Sequence, residues 1–129
     1  MAEGTYNLSS TLSLPSTITI EGGYDPVSWV KSNATPTILH RNASNILSSP
    51  DRLVALNGNG ISNFRLLDLT ITMDNAAGYG VSTYGIYLNG CSNYLISRCK
   101  IFTGDGSAGM PGSSGVFGTP GTSGQNGDT

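Results

Sequence analysis

Apolar and polar residues alternate over most of the first hundred positions, and one alternating stretch occurs twice. Positions 54–71 contain VALNG, ISNF and LTI, and positions 86–101 contain IYLNG, CSNY and CKI in the same order. The first blocks are 32 positions apart and the later ones 30, and a two-residue insertion, Asn59–Gly60, explains the difference. Because a period of two is typical of β-strands, each copy predicts three short strands joined by an Asn-Gly turn and a tight bend.

A fainter third copy lies upstream of these two. The segment Thr17–Glu21 aligns with Asp68–Thr72 and with Arg98–Phe102. The segment Pro36–His40 predicts a further strand, but the pattern does not fix its register. The three aligned copies predict inward-facing stacks of apolar residues: Ile18/Leu69/Cys99, Ile20/Ile71/Ile101, Phe64/Tyr94 and Leu66/Ile96.

Two polar pairs occupy equivalent positions in the repeat. Asp68 and Arg98 are predicted to face outward as a cross-strand ion pair, worth at most about 1 kcal/mol when exposed. Asn63 and Asn93 fall at equivalent bends, where stacked amide side chains can hydrogen-bond to each other and to neighbouring backbone. The alignment therefore predicts an asparagine ladder along one corner.

A unit of three short strands cannot bury an apolar face alone, whereas stacked units share one core. Equivalent strands run in the same direction, so residues 1–103 are predicted to form an all-β, right-handed parallel β-helix of about three to four coils. The long loops 21–36 and 74–83, and everything beyond 103, are expected after the third strand of each unit. They would gather at one edge of the scaffold, where a solenoid usually carries its specificity.

The first hundred residues also resemble a known group of proteins. Ile18–Asp25 reads ITIEGGYD and is followed by Trp29, the segment TIL and a coil that ends in LTIT. The next block reads GIYL and then CKI. This series resembles the secreted and surface-displayed bacterial β-helix proteins of the polymorphic outer-membrane and autotransporter-passenger type. The resemblance implies the β-helix fold, but such folds carry adhesins, structural fibres and polysaccharide enzymes alike.

The last part of the chain, 104–129, has a different period. Glycine occupies every third position from Gly106 to Gly127, eight in all. Such a period is needed where three-fold helices pack so closely that a Cβ atom would clash. The segment thus fits a collagen-like triple helix of three chains, polyglycine II-like helices folded against each other, or a flexible linker.

Composition narrows the class of function. Gly, Ser, Thr and Asn account for 59 of 129 residues, and the net charge is −2. A chain with so few clustered cations is not expected to bind nucleic acid electrostatically. Its longest apolar runs of three or four residues are too short to span a membrane. The amino terminus, Met1–Glu3, has no basic or apolar segment of a signal peptide, and we expect the chain to be a piece of a longer protein.

Residues capable of chemistry are few. Cys91 and Cys99 align with apolar positions, so we interpret them as free, buried cysteines rather than as a disulfide or metal site. His40 has no Ser or Cys partner at a recognisable spacing, which predicts a surface histidine and no triad. Of the carboxylates, only Asp68 lies in mid-strand and faces outward. The sequence therefore predicts no cofactor, no metal and no catalytic residues.

Exposed aromatic residues are the candidates for ligand contact, because they can stack on sugars or proteins. These candidates are Tyr24, Trp29, Tyr79, Tyr84 and Phe102. Tyr24 and Trp29 are equally suited to cap one end of the solenoid. The outward pairs Thr17-x-Thr19 and Thr70-x-Thr72 suggest an ice-binding array, although Lys100 and Phe102 interrupt it.

These observations predict a non-catalytic extracellular or cell-surface module that is structural or adhesive. The open strand edges of a short β-helix favour homo-oligomers or a filament, formed through coil stacking or the glycine segment. A glycan or another cell-surface molecule is the other expected partner. A fragment of a polysaccharide-degrading β-helix enzyme is the alternative, and an ice-binding solenoid a remote one.

Overall fold

The computed structural model describes residues 1–124, which form ten β-strands and no helix. The strands are β1 (Gly4–Leu8), β2 (Leu12–Ser13), β3 (Thr19–Glu21), β4 (Thr37–Arg41), β5 (Arg52–Asn59), β6 (Arg65–Leu67), β7 (Leu69–Met73), β8 (Ser82–Asn89), β9 (Leu95–Ser97) and β10 (Lys100–Phe102). They form three sheets, ordered β1-β4-β7-β10 (sheet 1), β2-β5-β8 (sheet 2) and β3-β6-β9 (sheet 3). Every strand pair is parallel.

Each coil contributes one strand to each sheet, and β10 begins a further coil. The prediction of an all-β parallel β-helix is therefore confirmed, with about three coils. The two strong copies of the repeat lie on successive coils, since Ile71 pairs with Ile101 and Leu66 pairs with Ile96. The predicted alignment of their first blocks is wrong: Leu56 pairs with Ile86 and Asn59 with Asn89, so the offset is 30 here too and Asn59–Gly60 is not an insertion. The rings of Phe64 and Tyr94 stack with centroids 5.1 Å apart, as predicted.

The register predicted for the fainter copy is wrong. Thr19–Glu21 pairs with β6 of sheet 3, so Ile20 stacks on Leu66 and not on Ile71. The reason is the corner that precedes the strand: Thr17 has a φ of 61°, close to the 60° of Asn63 at the equivalent corner. The strand that does stack on β7 is β4, in which Leu39 pairs with Ile71. The segment of unassigned register therefore supplies the missing strand of sheet 1.

The sequence predicted that the long loops gather at one edge of the solenoid, and this prediction is wrong. Loop 22–36 joins sheet 3 to sheet 1, whereas loops 42–51 and 74–81 join sheet 1 to sheet 2. The first loop replaces a one-residue corner that Asp68 and Arg98 form with φ values of 53°. The excursions thus leave the solenoid at two different corners. The loop 42–51 was not predicted.

The core is fully buried in the middle of the solenoid and partly exposed at both ends. Fully buried side chains belong to the middle coils, among them Leu39, Leu53, Leu56, Phe64, Leu66, Leu69 and Ile71. At the first coil, the inward side chain of Tyr6 is 38% exposed. At the last coil, Ile101 is 45% exposed and Tyr94 is 48% exposed. These residues occupy core positions with a neighbouring coil on one side only.

Asparagine ladders bind successive coils at the corners. Asn93 donates a hydrogen bond from its amide to Asn63 Oδ1, as the alignment predicted. A second ladder, which was not predicted, joins Asn89 Nδ2 to Asn59 Oδ1 at 3.1 Å. Both rungs satisfy polar groups along the stacking direction, so they favour the register that the core also requires.

The glycine segment begins as part of the solenoid and then leaves it. Main-chain hydrogen bonds join Ala76 N to Asp105 O, Ser107 N to Val81 O and Gly80 N to Ala108 O at 2.7–2.9 Å. A Cβ atom on Gly104 would lie 2.2 Å from Asp74 O, so that glycine is required by close packing. From position 109 to 124 every residue is exposed. The last glycine of the period, Gly127, lies outside the described residues.

Candidate functional site

The most strongly paired charges of the molecule lie at the corner between sheets 3 and 1. Asp68 accepts two hydrogen bonds from Arg98, from Nε at 2.6 Å and from Nη2 at 2.8 Å. It accepts a third from Lys31 Nζ at 2.6 Å. The predicted Asp68–Arg98 pair is therefore confirmed, and a cation from loop 22–36 completes it. The Arg98 guanidinium and the Lys31 ammonium hold the pKa of Asp68 well below its usual range.

Lys31 connects loop 22–36 to the solenoid. Its ammonium also donates to Glu21 Oε1 and to the carbonyl of Gly22, each at 2.7 Å. The hydrogen bond from Lys31, and a second from the Tyr24 hydroxyl, lower the pKa of Glu21. Partial burial works against the charge of Lys31, but its hydrogen bonds to Asp68 and Glu21 outweigh this and raise the pKa of Lys31. Both carboxylates at this corner are thus ionised and already paired.

A groove of about 410 Å³ lies beside this cluster, which is within the size range of small-molecule sites. One wall is formed by residues 33–36 at the end of loop 22–36 and by Thr37 at the start of β4, and the floor by the corner residue Asp68 and the first two residues of β7. The other wall is formed by Arg98 and Lys100 at the start of β10. Since alternate residues of a strand share a face, Phe102 lies on the same face as Lys100, two positions further along.

A hydroxyl, an imidazole and a carboxylate follow one another on the outward face of sheet 1. His40 and Thr72 are direct neighbours in the β4–β7 register. Thr72 Oγ1 lies 2.9 Å from Nδ1 of His40, and Asp74 Oδ1 lies 3.3 Å from its Nε2. No partner of His40 was predicted from the sequence, because Thr72 is 32 positions away and reaches it only through strand pairing.

This order of groups is that of a catalytic triad, but its surroundings differ from those of one. A triad also needs backbone N–H groups free to hold an oxyanion. Thr72 lies in a strand that is paired on both sides, with His40 in β4 and with Phe102 in β10. The N–H groups of such a strand are engaged in the sheet. The arrangement places hydrogen-bonding groups side by side on the outward face of sheet 1.

The five aromatic residues predicted for ligand contact are spread over separate parts of the surface. Tyr24 packs within loop 22–36, where its hydroxyl donates to Glu21 Oε2 at 2.9 Å and Lys31 Nζ lies 5.0 Å from its ring centroid. Trp29 lies in the same loop and is 63% exposed. Tyr79 lies in loop 74–81, and Tyr84 in β8. Of the five, Phe102 is the one on the face that continues from the groove.

Tyr84 belongs to a small aromatic cluster on sheet 2. Its ring meets Tyr87 edge to face, with centroids 5.3 Å apart. The guanidinium of Arg52 lies 4.9 Å from the Tyr87 centroid, an arrangement that favours a cation–π contact. The sequence did not indicate Arg52, because this residue reaches the cluster only through the pairing of β5 with β8.

The two Thr-x-Thr pairs do not form one array. Thr19 lies on sheet 3, where it pairs with Arg65, whereas Thr70 and Thr72 lie on sheet 1. The predicted alignment of the two threonine pairs on one face is therefore wrong. The predicted alignment failed because the sequence analysis placed β3 in the wrong register.

The two cysteines are free, as the sequence predicted. Both are half-buried and pack against the core, and the Cys99 thiol lies 3.5 Å from the carbonyl oxygen of Leu66. Over residues 1–124, no three His, Cys, Asp or Glu side chains lie close enough together to hold a metal ion.

Sequence reasoning assigned no role to Lys31, beside the groove, or to Lys100, which lines it. Lys31 lies in a loop whose path the pattern did not fix, so its contact with Asp68, 37 positions away, had no sequence signal. Lys100 was predicted to face outward in line with Thr70, but it was interpreted as an interruption of the threonine pattern. Its alignment with Thr70, which the register confirms, places it on the outward face beside Arg98.

Comparison with known proteins does not assign a function to this chain. No protein-family model matches the chain, and no significant match occurs among curated proteins or solved structures. Within residues 1–124, no helix is long and apolar enough to cross a membrane.

Proposed function

We propose that this chain is a non-catalytic structural and adhesive β-helix module of the extracellular space or cell surface, and that it associates with further copies of itself through the open end of its last coil. The main support for this proposal is the difference in exposure between equivalent core positions on successive coils. Ile71 and Phe64 are fully buried, whereas Ile101 and Tyr94, one coil later, are 45% and 48% exposed. An apolar surface of this kind is stabilised by a covering strand layer.

A second copy is the occupant best suited to this surface. The first coil presents the edge strands β1, β2 and β3, with Tyr6 partly exposed. Because all strands are parallel, the edge at one end is complementary to the edge at the other, as between successive coils inside the molecule. Head-to-tail contacts of this type do not close and lead to filaments.

The glycine segment supplies a second argument for association. Cβ atoms placed on Gly109, Gly112, Gly115, Gly118, Gly121 and Gly124 would meet nothing within 4 Å. The chain's own packing therefore does not require these glycines, whereas packed three-fold helices do. Segments from several copies, wound as a triple helix or packed as polyglycine helices, would use the strict period.

The pairing of the carboxylates supports a non-catalytic role. Glycan-cleaving sites need a carboxyl group that can donate or accept a proton near neutral pH. Asp68 is held ionised by two cations and Glu21 is paired with Lys31. The low charge and the abundant hydroxyl and amide groups suit a protein surface outside the cell.

Sedimentation velocity over a range of protein concentrations tests the association. We expect dimers or longer assemblies that grow with concentration, and Ile101→Lys should shift the protein to the monomer by placing a charge in the contact. Val27→Lys is the matched control, because Val27 is 88% exposed in loop 22–36 and away from the open end. A monomer at all concentrations, or equal assembly of the two variants, would refute the proposal.

The glycine segment is tested separately by Gly115→Ala, with Ser114→Ala as its control. If the segments of several copies pack as three-fold helices, Gly115→Ala weakens assembly and Ser114→Ala does not. Equal behaviour of the two variants would show that the segment acts as a linker.

A further inference from the structure

The groove beside the Asp68 cluster has unused hydrogen-bond donors on one wall. Within the described part of the chain, Lys100 takes part in no ion pair. Arg98 uses Nε and Nη2 to hold Asp68, which leaves Nη1 without a role in that pair. Both side chains are exposed and line the same wall. An anionic group placed there would meet two positively charged donors.

The carboxylate in the floor does not oppose an anion. The side chain of Asp68 is 8% exposed, and its oxygens already accept hydrogen bonds from Arg98 and Lys31. Its charge is therefore directed into the corner and compensated there. This pairing also fixes the Arg98 guanidinium in one orientation, so less side-chain entropy is lost when a ligand binds.

The remaining surroundings suit a ligand with many hydroxyl groups. Asn33, Thr35 and Thr70 line the groove with amide and hydroxyl groups. Beyond Lys100 on the same face lies Phe102, which is 58% exposed and pairs with Thr72. An exposed aromatic ring provides an apolar platform for the C–H face of a sugar ring.

We propose that this groove binds an anionic saccharide, with its acidic group held by Lys100 and Arg98 and a neighbouring ring of the sugar chain on Phe102. The His40–Thr72–Asp74 series extends the same face with further donors and acceptors for sugar hydroxyls. The site lies within one chain, so the inference does not depend on self-association. Of the aromatic residues that the sequence suggested for ligand contact, only Phe102 belongs to this proposed site.

The experiment is calorimetric titration of the full chain with a tetramer of galacturonate. Parallel titrations use a neutral galactose tetramer and inorganic sulfate at the same ionic strength. We expect binding of the acidic tetramer alone. Binding should weaken as the salt concentration rises, because exposed charges are screened.

Two variants locate the site. Lys100→Gln should weaken binding of the acidic tetramer about tenfold, the effect of one charge-assisted hydrogen bond. Arg65→Gln removes the same charge from an exposed position on sheet 3 and should leave the affinity unchanged. Phe102→Ala should also weaken binding, and circular dichroism confirms that each variant is folded.

Several results would overturn the inference. They are no binding of the acidic tetramer, equal binding of the neutral tetramer, or equal effects of Lys100→Gln and Arg65→Gln. Sulfate binding as tight as that of the tetramer would show that the groove recognises charge and not a saccharide. Failure here would leave the assembly data unaffected, since those depend on Ile101 and not on the groove.

Discussion

Arg41 is a buried cation, and its replacement by methionine is expected to destabilise the second coil. Arg41 is fully buried at the end of β4. Its guanidinium donates to four carbonyls: Val54 at 3.1 Å, Asn42 at 2.5 Å, Ser44 at 2.5 Å and Asn45 at 2.9 Å. Burial lowers the pKa of Arg41, but a guanidinium remains protonated at neutral pH. The side chain thus ties loop 42–51 to β5.

The magnitude depends on which carbonyls lose their partners. A hydrogen bond to a charged donor contributes about 1.5–3 kcal/mol net. Ser44 and Asn45 are exposed and regain water, and the Val54 carbonyl keeps a hydrogen bond from Thr11 Oγ1 at 2.9 Å. Removal of the buried charge also removes its desolvation cost. We therefore expect Arg41→Met to lower the free energy of unfolding by about 2–4 kcal/mol, less than the sum of the lost hydrogen bonds.

Urea unfolding followed by circular dichroism measures this change, and hydrogen exchange at positions 42–51 shows where it occurs. Arg41→Lys should be intermediate, because an ammonium keeps the charge but cannot span several carbonyls as the planar guanidinium does. An Arg41→Met protein with the midpoint and loop protection of the unmodified protein would refute the reasoning.

Two further predictions follow from the stacked coils and the paired corner. Phe64→Ala should lower the free energy of unfolding in urea by about 3–5 kcal/mol. Tyr94→Ala removes the half-exposed ring that stacks on Phe64 and should lower it by less than about 1.5 kcal/mol. Equal losses would contradict an open end at the last coil. The folded-state pKa of Asp68 is depressed, so its contribution to stability is fully present above about pH 4 and declines as the pH falls below that value. Thermal melts between pH 6 and 2 should show a shallower acid decline for Asp68→Asn, and parallel curves would argue against the Lys31–Asp68–Arg98 cluster.

Sequence reasoning succeeded where the chain repeats itself and failed where only alternation was available. The blocks at 61–71 and 91–101 share the bend residues Asn63 and Asn93, and equal bends enforce equal strand positions, so the pairing of Ile71 with Ile101 was predictable. Thr17–Glu21 shares only alternation, which is common to all three sheets. Its position is decided by the corner at Thr17, where a threonine adopts a left-handed conformation that its type does not predict.

The candidate site was predictable only in part, for a related reason. Asp68 and Arg98 are equivalent residues of adjacent repeats, so their contact followed from the alignment. Lys31 reaches them from a loop with no repeat, and His40 meets Thr72 through a strand whose register was open. Contacts made by insertions or by unaligned strands depend on tertiary folding and leave no periodic signal in the sequence.

Methyl–methyl nuclear Overhauser effects in isotope-labelled protein test the stacking of the coils most directly. Adjacent strands lie about 4.8 Å apart, so contacts are expected from Ile71 to both Leu39 and Ile101, and from Ile20 to Leu66. Contacts of Ile20 with Ile71, or no contact between Ile71 and Ile101, would contradict the fold on which the proposed assembly and the groove both depend.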